Sequence, residues 1–206
     1  MTVDHRFFRI VDGVTVADLA SKLGAVVKGE VWHPKITGVA PLTNAGEGDL
    51  TFQTSISSKN TSAPTGSTVI TNAECAAKSE NNQTLLIVDH PRKSFAEALG
   101  MLIQTVDLAS EESNIDQTAM VHPNASIASG TVIGANCRIG AGAVIQAGVV
   151  IGDSCIVASN CVLSHCRIGS DVSIGAGSII GDSGFGFEMT DTGAIPLPHI
   201  GIVRIA

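Results

Sequence analysis

The sequence has few of the large side chains that fill a bulky core. Tyrosine is absent, and aromatic residues make up 3% of the chain, whereas glycine accounts for 22 residues. A chain of 206 residues is still long enough to bury one large core or two modest ones. The composition therefore favours a thin β-solenoid over a bulky globular core.

Long apolar runs are also missing. The sequence contains no run of about eighteen apolar residues, and its first residues, MTVDHRFFRI, do not have the features of a signal peptide. We therefore expect a cytoplasmic protein. The formal net charge of −7 argues against non-specific binding to nucleic acid.

A six-residue period runs from Ile115 to Gly181. Its regular aliphatic members are Ile115, Val121, Ile127, Ile133, Ile139, Ile145, Ile151, Val157 and Leu163. The next member, Ile168, comes one residue early, and the period then resumes through Ile174 and Ile180. A period of six matches neither a helix nor a single strand. It predicts a coil with three short flat faces, in which each hexad forms one face and three hexads form one turn.

In such a coil the aliphatic residues point into a narrow lumen, and successive turns pair as parallel strands about 4.8 Å apart. The fifth hexad position is also small or compact, which predicts a second inward column. Cys137 and Cys155 fall eighteen positions apart in that column. A small-residue role and a cytosolic setting favour reduced thiols over a disulfide. Cys161 and Cys166 do not have C-x-x-C metal spacing.

Residues 1–106 lack the hexad. They are predicted to form a separate small α/β domain, which a polar linker at 107–114 joins to the coil at 115–206. The strand candidates in this domain are Ala25–Lys28, Lys35–Val39, Leu50–Gln53, Thr68–Thr71 and Leu85–Val88.

Two helices are predicted in the same domain. Thr15 and Asp18 indicate a capped helix that ends at Leu23, with Gly24 as its C-terminal stop. A second helix follows Pro91 and has an apolar face that should pack on the sheet. That face consists of Phe95, Leu99, Leu102 and Ile103.

The hexad pattern resembles that of the hexapeptide-repeat acyltransferases, whose coil is a left-handed parallel β-helix. The hand of the coil is implied by this resemblance, since periodicity does not supply it. Most members of the family transfer acyl groups onto sugars or amines. A minority are metal-dependent hydratases.

Two further strings narrow the resemblance. ITGVAPLTNAGEGDLTF, from Ile36 to Phe52, resembles the N-terminal uridine-binding domain of UDP-3-O-acylglucosamine N-acyltransferases of lipid A biosynthesis, with its I-x-G-V-x-x-L and G-D-L-S/T-F stretches. GDSGFGFEMTDTGAIPLPHIGIVRI, from Gly181 to Ile205, resembles the interruption of the coil in that family, with its G-F-G-F/Y loop and I-P-x-x-G-x-V-x-I return. We therefore expect a loop at 182–200 within an incomplete left-handed β-helix.

The resemblance implies substrate-binding roles for four residues. Phe52 would hold the uracil ring by stacking, although it could also be a core residue at the end of a strand. Lys59 would lie near the diphosphate, although it could also be a solvated surface lysine. It aligns with the family's N-P-K-Y run, which reads SISSKN here, so the Asn, Pro and Tyr are replaced. Phe185 and Phe187 would line the acyl-chain side; the alternative is that they cover the lumen or a neighbouring subunit.

The resemblance also implies the chemistry. A histidine takes a proton from the 2-amino group of UDP-3-O-acyl-glucosamine as that group attacks the thioester of a hydroxyacyl chain on acyl carrier protein. No cofactor is implied, and a homotrimer is expected. The family's catalytic histidine belongs to an A-H-N string downstream of the coil return. Because the sequence stops at Ala206, we expect a C-terminally truncated chain without catalytic residues or transfer activity.

The histidines in the coil region are weaker candidates for a catalytic base. His122, His165 and His199 are expected at surface or corner positions, and their wide spacing argues against the three-imidazole zinc site of a hydratase. His165 follows Ser164 in a string that resembles Y-H-N-C with one residue deleted. Two other functions stay open: a sugar-nucleotide acyltransferase of another substrate class, and a non-catalytic form that binds or assembles.

Overall fold

A computed structural model describes residues 3–55, 65–79, 83–190 and 193–206. The chain divides into two compact units. The first unit contains Phe8–Gln104 and Phe185–Ile200, and the second contains Asp4–Phe7, Thr105–Gly184 and Gly201–Ala206. Each unit is therefore assembled from segments that are distant in sequence.

Residues 8–105 form a small α/β structure. Its described helices are α1 (Val16–Leu23), α2 (Ala73–Lys78) and α3 (Pro91–Leu102). Its described strands are β1 (Phe8–Ile10), β2 (Val26–Lys28), β3 (Gly38–Val39), β4 (Asp49–Gln53), β5 (Thr68–Thr71), β6 (Thr84–Ile87) and β7 (Ile103–Thr105). The main sheet has the order β2-β6-β5-β4-β3, with β3 to β6 parallel and β2 antiparallel to β6. Strands β1 and β7 form a separate two-stranded sheet.

Helix α1 begins and ends where the sequence predicts. The Thr15 hydroxyl oxygen accepts the Asp18 N–H at 3.1 Å, and the Asp18 carboxylate accepts the Thr15 N–H at 2.9 Å, which completes a capping box. The hydrogen bond from the Thr15 hydroxyl, followed by that from its backbone, lowers the pKa of Asp18. Gly24 ends the helix with φ +60°, a conformation that glycine adopts without steric strain.

The core of the first unit lies between the sheet and helices α1 and α3, as the second predicted helix implied. Its fully buried members include Leu19, Leu50, Ile70, Leu86 and Leu102. These side chains come from both helices and from three neighbouring parallel strands. Because β4, β5 and β6 run parallel to one another, their carboxyl ends lie at the same edge of the sheet.

Three local predictions differ from the structure. Ile103 does not continue α3 but starts β7, with an extended backbone at φ −112° and ψ 130°. The strand predicted at Lys35–Val39 shrinks to β3, because Lys35 forms an isolated antiparallel bridge with Thr15 instead. Strands β1 and β7 and helix α2 were not predicted, because each is too short to show a periodic pattern.

Residues 114–205 form the coil that the hexad predicts. Its strands before the interruption are β8 (Asn114–Ile115), β9 (Met120–Val121), β10 (Ser126–Ile127), β11 (Val132–Ile133), β12 (Arg138–Ile139), β13 (Val144–Ile145), β14 (Val150–Ile151), β15 (Ile156–Val157), β16 (Val162–Leu163), β17 (Cys166–Ile168), β18 (Ser173–Ile174) and β19 (Ile179–Ile180). An insertion then carries the hairpin strands β20 (Phe187–Thr190) and β21 (Gly193–Pro196), and β22 (Val203–Ile205) resumes the coil.

Three parallel sheets make up the faces of this hexapeptide-repeat β-helix. Their orders are β8-β11-β14-β17-β22, β9-β12-β15-β18 and β10-β13-β16-β19. Ser126 lies beside Val144, eighteen positions later, so three hexads make one turn. The predicted inward columns are confirmed: Ile145 and Cys155 are both 0% exposed, and both columns join one buried cluster.

The early arrival of Ile168 shortens one corner without breaking the stack. Ser164 and His165 form the whole corner between β16 and β17. His165 adopts φ +37°, and it stands at the corner position that Gly130 and Gly148 occupy in the two preceding turns, also with positive φ. Ile168 still pairs with Ile151. The corner thus absorbs the deletion, and the lumen column continues.

In the part of the chain that the structure describes, none of the helices is long and apolar enough to cross a bilayer.

Candidate functional site

The carboxyl edge of the parallel strands in the first unit is the candidate site. Strands β4, β5 and β6 end there; Thr54 and Asn72 directly follow β4 and β5, and Asp89 is the second residue after β6. The Asn72 side chain donates from Nδ2 to the Thr54 carbonyl oxygen at 3.1 Å and accepts the Cys75 N–H at Oδ1, at 2.9 Å. It therefore caps α2 and ties the ends of two strands together. Ligands of parallel sheets bind at this edge.

Phe52 lies near the end of β4 on the face that α3 covers. Its ring packs against Phe95 of α3, with ring centroids 4.6 Å apart and planes at 31°. The alternation of the strand places Phe52 beside buried Leu50 on this face, yet Phe52 itself stays partly exposed. The Phe52 ring is thus packed against Phe95 while part of its surface reaches solvent. Lys59, the other predicted contact to the nucleotide, lies outside the described residues.

A cavity of about 360 Å³ opens at the ends of β5 and β6. Ala73 at the start of α2, Ile87 at the end of β6 and the adjacent Val88 line it. Asp89 and three charged or titratable side chains of the start of α3 add polar groups, namely His90, Lys93 and Glu97. Lys93 Nζ lies 3.8 Å from Glu97 Oε1, an exposed pair of little energetic weight.

The chemistry of this cavity suits a small polar ligand. It offers an ammonium, an imidazole and carboxylates to hydroxyl or phosphate groups, above an apolar floor, and its volume falls in the range of ligand sites. Sequence analysis missed this cavity. The available signal was the spacing of His90, Lys93 and Glu97, which places them on one side of α3.

Phe185 and Phe187 lie on the inserted hairpin, within the first unit. Their rings meet edge to face at 4.9 Å, and they are 95% and 41% exposed. On β20, Glu188 points to the opposite side, and its Oε2 lies 3.4 Å from Nε of Arg92 in α3. Met189, on the same side as Phe187, is 77% exposed. The hairpin thus presents an apolar face with Phe185, Phe187 and Met189, opposite the side on which Glu188 meets Arg92.

Of the three histidines considered from the sequence, His122 and His165 lie at corners of the coil in the second unit. His122 is exposed and accepts the Asn124 N–H at Nδ1, at 3.1 Å. His165 packs its ring 5.4 Å from Phe7 and lines a cavity of about 170 Å³. His199 is exposed in the first unit. Among residues 3–55, 65–79, 83–190 and 193–206 there is no group of three or more His, Cys, Asp or Glu side chains that could hold a metal ion.

The cysteine thiols are buried and free. In the lumen, the Sγ atoms of Cys137, Cys155 and Cys161 each donate to a glycine carbonyl oxygen at 3.0 Å. Burial raises the pKa of Cys137, and it raises the pKa of Cys166 to about 11. A protonated, buried thiol is a poor nucleophile, so Cys137 and Cys166 are structural.

The similarity of the chain to known families follows the two units. The family model for UDP-3-O-(3-hydroxymyristoyl) glucosamine N-acyltransferase, LpxD, matches residues 33–101. The model for the bacterial transferase hexapeptide (six repeats) matches residues 112–147 and 130–165. The chain is 31% identical, over 132 residues and 63% of its length, to UDP-3-O-acylglucosamine N-acyltransferase of Caulobacter sp. (strain K31). It spans 37% of the length of that relative.

Solved structures give weaker matches. The acetyltransferase domain of PglB from Neisseria gonorrhoeae FA1090 is 20% identical, with a TM-score of 0.25, over 68% of this chain and 75% of that one. The same domain in complex with acetyl coenzyme A gives the same identity and TM-score over 74% and 87%.

The two family matches together confirm the resemblance drawn from the sequence motifs. The LpxD match covers strands β3 to β6 of the sheet that carries Phe52, and the hexapeptide matches cover the coil from β8 to β16. The chain is therefore LpxD-like: residues 33–101 are similar to the LpxD family, and the residues after them are similar to the hexapeptide repeats of bacterial transferases.

Proposed function

We propose that this chain serves the transfer of a 3-hydroxyacyl group from acyl carrier protein to the 2-amino group of UDP-3-O-acyl-glucosamine, in the cytoplasmic steps of lipid A biosynthesis. The observation that carries the proposal is the LpxD match at residues 33–101, ahead of a hexapeptide coil. In this reading the first unit holds the nucleotide part of the acceptor.

Phe52 is the proposed contact to the uracil. A nucleobase stacks well on an aromatic ring, and a ring that is already fixed against Phe95 loses little conformational freedom on binding. The cavity beside Asp89 and Lys93 lies at the same edge of the sheet and could accept polar groups of the ligand. Lys59 is retained in the proposal as a contact to the diphosphate.

The hairpin face with Phe185 and Phe187 is the proposed contact to an acyl chain. These two side chains remain 95% and 41% exposed, and covering them with an alkyl chain is favourable because it removes apolar surface from water. The Glu188–Arg92 ion pair lies on the opposite side of β20 and leaves this face uncovered.

A homotrimer is part of the proposal. On the β10-β13-β16-β19 face, the outward side chains Val144, Val162 and Ile179 stack in register, and Val144 and Ile179 are 37% and 65% exposed. An apolar stripe on a narrow β-helix supports association of copies. Light scattering tests this: Ile179→Glu is expected to lower the mass from three chains toward one, and a wild-type monomer would contradict it.

The nucleotide site is tested by calorimetric titration of UDP into the wild type, Phe52→Leu and Phe95→Leu. Both substitutions remove the same ring-to-ring contact, but Phe52→Leu alone removes the proposed stacking surface. We expect Phe52→Leu to weaken UDP binding about tenfold, as loss of one base-stacking contact does. Phe95→Leu should change it by no more than about twofold, because a matched leucine preserves most of the packing.

The acyl part is tested with the same protein and two ligands, UDP-glucosamine and its 3-O-acyl derivative. We expect the acyl chain to increase the affinity for the UDP-sugar in the wild type and to increase it less in Phe187→Ala.

Equal effects of Phe52→Leu and Phe95→Leu on the affinity for UDP, or no binding of UDP to the wild type, would contradict the nucleotide assignment. An unchanged acyl increment in Phe187→Ala would contradict the hairpin assignment.

A further inference from the structure

The segment Asp4–Phe7 belongs to the second unit and lies along one corner of the coil. The Arg6 guanidinium donates from Nε to the Gly148 carbonyl oxygen at 2.6 Å and from Nη2 to the Gly130 carbonyl oxygen. Phe7 is 3% exposed. A Cβ atom on Gly148 would lie 3.1 Å from Phe7 Cε1, so the bare glycine corner makes room for the ring. Arg6 and Phe7 thus fix the segment in place independently of Asp4.

The Asp4 carboxylate is shared by two arginines of the coil. Arg167 donates from Nε to Oδ2 at 2.8 Å and from Nη2 to Oδ1 at 2.9 Å, and Arg204 donates from Nη2 to Oδ2 at 3.1 Å. The Arg6 N–H adds a bond to Oδ1 at 3.1 Å. Each carboxylate oxygen therefore accepts two hydrogen bonds. The Asp4 side chain is 7% exposed, so solvent competes little for these bonds.

The two arginines stand on either side of the insertion. Arg167 is the outward residue of β17, and Arg204 is its register partner on β22. Earlier turns carry Val132 and Val150 in this column. Two guanidinium groups on strands about 4.8 Å apart repel each other unless an anion lies between them.

Strand β22 needs such support. The chain reaches it only after the long excursion that begins beyond Ile180. Two hydrogen bonds report on its docking: Val203 N–H donates to the His165 carbonyl oxygen at 3.0 Å, and Gly169 N–H donates to the Ile205 carbonyl oxygen at 2.7 Å.

We propose that Asp4 is a clasp that holds β22 in register on β17 by bridging Arg167 and Arg204. The segment Asp4–Phe7 is then a part of the coil. It fixes the position of β22, the strand with which the coil resumes after the inserted hairpin. This inference does not depend on the proposed substrate.

Amide hydrogen exchange of the full chain tests the clasp. In Asp4→Asn, which keeps the shape but removes the charge, we expect the Val203 and Gly169 amides to exchange about tenfold faster, since a charge-assisted bond to a buried carboxylate is lost. The Arg138 and Val144 amides, which bond within inner turns of the coil, should change by no more than about twofold.

Two further variants keep the test decisive. Asp116→Asn removes an exposed carboxylate of the same unit that bonds to Thr118, and it should leave Val203 exchange unchanged. Arg204→Gln should accelerate Val203 exchange by itself and should reduce the additional effect of Asp4→Asn, because the two residues act as a pair. Equal acceleration at Val203 and Val144, or the same effect of Asp4→Asn with and without Arg204, would overturn the proposal.

Discussion

Strand β13 offers a direct comparison of an inward and an outward position. Ile145 is 0% exposed and is stacked between Ile127 and Leu163 of the adjacent turns, whereas its neighbour Val144 is 37% exposed. Ile145→Ala removes three buried carbon atoms, a transfer loss of about 2.4 kcal/mol at ~0.8 kcal/mol for each. The lumen is enclosed by three sheets and cannot collapse freely, so the residual cavity should raise the total to about 3–4 kcal/mol. At a protein concentration low enough for the chain to be monomeric, Val144→Ala removes two partly exposed carbons and should lower stability by less than about 1 kcal/mol.

Urea unfolding of both variants measures the difference. Far-UV circular dichroism follows the strands, and fluorescence of Trp32, which lies in the first unit and is the single tryptophan of the sequence, serves as an internal reference. We expect Ile145→Ala to shift the dichroism midpoint strongly and Val144→Ala to shift it little. A larger loss in Val144→Ala than in Ile145→Ala would refute the inward and outward assignment.

Three further predictions concern single sites. Gly148→Ala should lower the free energy of unfolding by about 1–3 kcal/mol, because the position has φ +77° and a Cβ would lie 2.7 Å from Leu108 Cδ1. Gly177→Ala, with φ +73° and open space around it, should be milder in the same thermal unfolding assay, and equal losses would show that the contact is irrelevant. Thr15→Ala should destabilise α1 by about 1 kcal/mol, and unchanged urea unfolding would contradict its capping role. Hydrogen bonds from Arg167 hold the pKa of Asp4 below its ordinary 3.8, so the stabilising effect of the Asp4 carboxylate is present above that pH and is lost as pH falls through the lowered pKa. The melting temperature of the wild type should therefore fall more steeply below about pH 4 than that of Asp4→Asn. Parallel curves for the two proteins would contradict this role of Asp4.

The sequence was informative wherever a structure depends on a repeated local pattern. The period of six predicted the lumen column through Ile145 and Ile168, and the spacing of Thr15 and Asp18 predicted the start of α1. The deletion before Ile168 was visible as well. Its outcome was not, because the positive φ of His165 depends on the packing of the corner rather than on a local sequence signal.

Long-range contacts could not be predicted in the same way. Asp4 and Arg204 are separated by 200 positions, and no periodicity connects them. The end of α3 also escaped prediction, because Ile103 continues the apolar spacing of the helix although it pairs in a strand. The cavity beside Asp89 depends on which strand ends meet at the edge of the sheet, which the strand order decides.

Selectivity for the base is the most direct test of the proposed function. Equilibrium dialysis of the wild-type chain with labelled UDP-glucosamine, in competition with unlabelled UDP, CDP or ADP, would measure it. Stacking on Phe52 tolerates any base, so selectivity tests for polar contacts to the uracil edge, which recognition of one base requires. A site with such contacts should be emptied by UDP at a concentration about tenfold lower than by CDP or ADP, since polar groups matched to one base are left unpaired by another. Equal competition by all three nucleotides, or no retention of UDP-glucosamine, would contradict the account.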